Sequence, residues 1–114
     1  MAVVYKVLGQ SNPSATTATT LYTVPASTST VVSTITICNQ AASSDSYRIA
    51  IRPAGAALAA QHYIAYNGAI PAYDTISLTL GITLATTDVV TVYAGTANLI
   101  VDAAGRPIQW DQLV

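Results

Sequence analysis

The strongest order in this chain is an alternation of apolar and polar residues with period two. In residues 31–38 (VVSTITIC), Ile35 and Ile37 alternate with Thr34 and Thr36, which predicts a half-buried strand. Residues 47–52 repeat the pattern. Tyr47, Ile49 and Ile51 share one face, and Arg48, Ala50 and Arg52 share the other, where two solvated arginines suit an outer surface. Ile76, Leu78 and Leu80 alternate with Thr75, Ser77 and Thr79 until Gly81 breaks the run. Shorter apolar runs at 3–8, 21–24, 63–66, 82–84, 89–94 and 99–101 add further strands. Turn chemistry separates them: SNPS at 11–14, Pro25, NQAASS at 39–44, Asn67-Gly68, Gly95 and Gly105. Residues 53–60 (PAGAALAA) mix helix-favouring Ala and Leu with Gly55, and predict a loop with at most one helical turn.

No sustained 3.6-residue pattern competes with these strands. Seven to nine short strands with turns between them predict an all-β chain, a single-domain antiparallel β-sandwich of jelly-roll or Greek-key type. The longer connections fall near 9–20 and 53–61. The pattern leaves the order of the strands open.

Composition sharpens the picture. Only 8% of the 114 residues are charged, against about 25% in an ordinary soluble domain. A domain so poor in charge is expected to keep much of its surface against other protein. The Thr-, Val-, Ile- and Tyr-rich alphabet favours strands, and the apolar content argues against disorder. The net charge is −1, and Lys6, Arg48, Arg52 and Arg106 are scattered, so no basic stripe for nucleic acid is evident. No run of about 18 apolar residues is present to span a membrane. The opening MAVVYKVLG lacks a basic segment followed by a long apolar one, so synthesis and folding in a cytoplasm are expected.

Candidate chemistry is sparse, and no enzyme is expected. His62 is the only histidine, and no GxSxG elbow accompanies it, so a structural or surface role is expected. Cys38 is alone, which removes an internal disulfide and a Cys-based zinc site; a small buried hydrophobe is the expectation. Asp45, Asp74, Asp88, Asp102 and Asp111 lie far apart, and the chain has no Glu. Asp45, Asp74 and Asp88 each precede a strand, where aspartate usually accepts from local backbone amides. No metal, cofactor or phosphate loop is expected. Tyr63, Tyr66 and Tyr73 are close in sequence. They suit amphipathic positions at strand edges or at a subunit contact, ahead of a carbohydrate-stacking surface.

The stretch LYTVPASTSTVVSTITICNQ (21–40) resembles the small β-sandwich module of tailed-bacteriophage virion proteins. The likeness continues through Arg48–Ile51, His62–Asn67, Asp74–Leu84, VVTVYA at 89–94 and TANL at 96–99, covering roughly residues 4–105. It implies a β-sandwich module over 1–105, a C-terminal arm over 106–114, and no catalytic residues. The module stands here with almost nothing appended, which resembles a capsid cement (decoration) protein. That likeness implies a homotrimer on the outer surface of the virion head, bound to the major capsid protein. A tail, neck or fibre-base component with the same module, or a carbohydrate-binding module, remains as an alternative. The tail RPIQWDQLV is too apolar for a solvated segment. Ile108, Trp110 and Leu113, with Tyr63 and Tyr66, are the candidate interface residues, although Trp110 suits a plug at the bottom of its own sandwich equally well.

Overall fold

A computed structural model describes residues 5–79 and 81–109. Among them are nine strands: β1 (Lys6–Ser11), β2 (Thr19–Thr23), β3 (Thr28–Asn39), β4 (Asp45–Arg52), β5 (Tyr63–Ile70), β6 (Thr75–Leu78), β7 (Ile82–Leu84), β8 (Val89–Ala94) and β9 (Leu99–Gln109). Two short 3-10 turns, Pro53–Gly55 and Ala60–His62, bridge β4 to β5.

The strands form two antiparallel sheets. The first has the order β1-β9-β3-β6, and β7 pairs with β3 beyond β6 on the same edge; the second has the order β2-β8-β4-β5. With β6 and β7 taken as one interrupted strand, the chain crosses between the sheets in the sequence of a jelly roll, two interlocked Greek keys. The interruption falls where Gly81 adopts a left-handed φ of 62°. Leu80, expected to extend that strand, lies outside the described residues.

The core fills the space between the sheets. Val32, Ile35 and Ile37 of β3 and Leu99, Val101 and Ala103 of β9 face Ile49 of β4 and Val90 and Val92 of β8, all nearly inaccessible. Each buried aliphatic side chain contributes about 1.5–3 kcal/mol of transfer free energy. The alternation therefore decides which side of each strand turns inward.

Strand β3 shows how the pattern is bent to fit. Thr28, Thr30 and Val32 point inward, and so do Ile35, Ile37 and Asn39. The phase slips by one residue at Ser33, where the register against β9 jumps between Val32 and Thr34. This is a β-bulge, an extra residue that re-aims the following side chains. Ser33 donates its hydroxyl to the Ala104 carbonyl at 3.1 Å. Opposite the bulge stands Gly105, where any Cβ would overlap the Val31 carbonyl oxygen and lie 2.9 Å from Val32 Cα.

Several boundaries differ from the expected ones for reasons of this kind. Gly105 does not end the last strand. It lies inside β9, because the close approach at the bulge needs a residue without a side chain. The ladder to β3 therefore runs on through Val31↔Arg106 and Ser29↔Ile108 to Thr28↔Gln109. The first four residues of the expected arm are thus part of the first sheet. Asn67-Gly68 is likewise no turn. Asn67 has a φ of 53° but makes a bulge within β5, and Gly68 admits the Tyr47 ring, whose Cζ would lie 2.5 Å from an added Cβ.

Candidate functional site

Two outward faces remain once the core is formed, and they differ in chemistry. The first sheet presents short side chains. From β3 come Val31, Thr34, Thr36 and Cys38, and from β9 come Ile100, Asp102, Ala104 and Arg106. Strand β3 carries no charged residue, and β9 carries only Asp102 and Arg106. Both hold an atom that is shut off from solvent and lacks a hydrogen-bond partner among the described residues: Asp102 Oδ1 and Arg106 Nε. Leaving a polar atom in that state costs about 1–3 kcal/mol.

Cys38 belongs to this outer face and is half-buried, not a core residue as expected. Alternation after the bulge turns Ile37 and Asn39 inward, so Cys38 must turn out. At one margin of the same sheet, Tyr5 and Val7 are exposed, and the Arg106 guanidinium lies 5.4 Å from the Tyr5 ring centre.

The second sheet presents aromatic rings and arginine. The register places Arg48 of β4 opposite Tyr93 of β8, while the bulge in β5 brings Tyr66 and Asn67 alongside from the other side. The Arg48 guanidinium carbon lies close to two rings, 4.2 Å from the Tyr66 centre and 4.3 Å from the Tyr93 centre. Its Nε donates to Asn67 Oδ1 at 2.7 Å. Tyr63 meets Tyr66 edge to face, with centres 5.0 Å apart and planes at 83°. Arg52, further along the same face, donates from Nε to Thr91 Oγ1 at 3.1 Å and from Nη1 to the Ala56 carbonyl at 3.2 Å. The two arginines expected as freely solvated side chains are thus both engaged. A guanidinium stacked on a ring gains about 0.5–1 kcal/mol at an exposed site and more when desolvated. Beside the rings lies an open cleft of about 600 Å³ lined by Leu58, Ala59, Ala60, Tyr63 and Tyr66.

The candidate residues are therefore not all together. Tyr63 and Tyr66 meet. Tyr73, although highly exposed, sits in the turn after β5 with its N–H on the Ala41 carbonyl, and is not among the cleft residues. Ile108 is half-buried on β9 in the first sheet, remote in the topology from β5. Trp110 and Leu113 lie outside the described residues. Arg48, Asn67 and Tyr93 complete the aromatic surface, and sequence reasoning did not connect them. The outward position of Arg48 was legible, but its neighbours depend on which strands flank β4.

The remaining polar groups are structural. Asp45 accepts from the Ser46 and Thr96 amides at 2.7 and 3.2 Å and from the Thr96 hydroxyl. Asp74 accepts from the Thr75 amide at 2.9 Å. Asp88 accepts from the Ala54 and Ala85 amides at 2.8 and 2.9 Å, tying two loops together. His62 is buried, and its Nδ1 accepts from the Ala59 amide at 3.1 Å. Among the described residues no group of three or more His, Cys or acidic side chains could hold a metal ion, and no helix is long and apolar enough to cross a membrane.

No protein-family model, curated protein or solved structure matches the chain.

Proposed function

We propose that this protein is a structural component of a tailed-bacteriophage virion, a cement protein that clamps neighbouring major capsid subunits from outside the head as a homotrimer. The observation that carries the proposal is the outer face of the first sheet. It is broad, built on the two longest strands, and almost free of charge. Interface cores are depleted in charged residues in the same way. Thr, Ser, Ala and Val immobilise little side-chain entropy when covered. The likeness of residues 21–40 to phage virion modules supports the same role.

The mechanical logic is additive. A clamp bridging capsid subunits adds contact area that must break before the shell opens under internal pressure. A standard interface buries about 1,600 Å², and three linked copies multiply attachment by effective concentration.

Sedimentation of the purified protein with expanded phage heads lacking it tests the proposal. Co-sedimentation at many copies per head is expected, and Thr36→Lys should abolish it while leaving the circular dichroism spectrum unchanged. Labelling of intact virions adds the location. Signal confined to the tail or a single vertex would move the protein to the neck or tail, and absence from virions would end the proposal.

A further inference from the structure

The aromatic face of the second sheet is not used by attachment through the first. We propose that it binds an acidic saccharide, a pyranose ring bearing a carboxylate, in the cleft formed by Tyr63 and Tyr66, with Arg48 fixing the acid group.

Three observations lead there. Tyr63 and Tyr66 stand nearly at right angles and both line the cleft, with Leu58, Ala59 and Ala60 completing it. Its volume of about 600 Å³ falls in the range of small-molecule sites, about 300–1,000 Å³. A pyranose offers an apolar C–H face that packs on an aromatic ring and hydroxyls that stay in water, which suits a rigid tyrosine corner open to solvent. Tyr66 is 60% exposed and already held by its neighbours, so little entropy remains to lose on binding.

The second observation is the state of Arg48. Its guanidinium carbon lies within 4.3 Å of two ring centres and its Nε is committed to Asn67. Among the described residues its two terminal nitrogens have no hydrogen-bond partner. What remains is a fixed fork of N–H donors at the surface, the geometry that meets a carboxylate in a bidentate pair. Tyr66 touches both Arg48 and the cleft, so charge and platform adjoin.

Charge complementarity is the third. Arg48 and Arg52 share this face, whereas the carboxylates of Asp45 and Asp88 are already bonded to backbone amides in the end loops. The face carries two of the four cations of a chain whose net charge is −1. Two cations are too few for a nucleic-acid strand, which is tracked by several phosphate contacts.

Titration of the isolated full chain, followed by NMR of the tyrosine rings, tests this without any phage particle. Trigalacturonate and sialyllactose are the probes; maltotriose, lactose, tetraglutamate and a thymidine oligonucleotide are the comparisons. A shift of the Tyr63 and Tyr66 resonances by an acidic sugar is expected, with the neutral sugars at least about tenfold weaker. Arg48→Gln should weaken the acidic sugar by a similar factor and leave the response to neutral sugar unchanged. Leu58→Trp, which fills the cleft from a loop, should remove both responses and serves if Arg48→Gln does not fold. No response to either acidic sugar overturns the proposal. So does an equal response to tetraglutamate or the oligonucleotide, or binding that Arg48→Gln leaves intact.

Discussion

Replacing Gly105 with alanine tests the central joint of the sandwich. The added methyl group would overlap the Val31 carbonyl oxygen, lie 2.9 Å from Val32 Cα and 3.0 Å from the Val31 carbonyl carbon. All three atoms are backbone, so no side chain can swing aside. Relief requires β3 and β9 to part at the bulge. Overpacking a tight site costs about 1–3 kcal/mol. Parting the ladder forfeits one or two backbone hydrogen bonds, each contributing about 1 kcal/mol. A loss of about 2–5 kcal/mol follows, a large share of the roughly 5–15 kcal/mol that stabilises a domain of this size. The midpoint of thermal unfolding should fall by about 10–30 °C. Gly81→Ala is the control. Gly81 has a φ of 62° and nothing within 4 Å of a Cβ, so only the left-handed backbone opposes a side chain, at about 1 kcal/mol. Urea unfolding of both variants, followed by circular dichroism, measures the contrast. Equal losses for the two, with unchanged denaturant slopes, would show that the crowding at the bulge carries no energetic weight.

Other substitutions probe other levels of the structure. Gly68→Ala should cost less than Gly105→Ala, about 1–2 kcal/mol, because the atoms in the way belong to the Tyr47 ring, which can shift; thermal unfolding separates the two. Leu99→Ala, at a fully buried position of β9, should cost about 2–5 kcal/mol by urea unfolding. Asp88→Ala removes the acceptor of two backbone amides in different loops and should cost about 1–2 kcal/mol, with faster amide exchange at Ala54 and Ala85. Tyr66→Ala should change stability by less than about 1 kcal/mol, because the ring is mostly exposed.

Much of the fold was legible because the core is built from alternation. Ile35 and Ile37 announced β3, Ile49 announced β4, and both sit as expected. Boundaries were lost where glycine or asparagine served a bulge instead of a turn. Gly105 and Asn67 carry the same local signal as turn residues, and only the partner strand decides between the two uses. The phase slip between Val32 and Ile35 was present in the pattern as a local cue to one bulge. The aromatic surface was half legible. Tyr63 and Tyr66 were apparent from spacing alone, but Arg48 and Tyr93 are 45 residues apart and meet only because β8 flanks β4. No local rule specifies that adjacency.

The two faces also explain why so little charge suffices. A sandwich that sheds charge from both surfaces risks indiscriminate association, and sheet edges are especially open to it. Here charge is retained selectively. On the first sheet Asp102 and Arg106 interrupt an otherwise neutral surface, and one buried atom of each has no hydrogen-bond partner among the described residues. Both atoms are shut off from solvent in the chain alone, so their cost falls on the fold, and on the proposed attachment through this face a covering surface would have to match the polar atoms of the two side chains that remain open. The consequence is measurable. Asp102→Ala should leave the sandwich at least as stable, since it removes an unpartnered buried acceptor, yet should weaken attachment to expanded heads. A variant less stable in isolation but equally retained on heads would place the value of Asp102 inside the fold instead of at the contact.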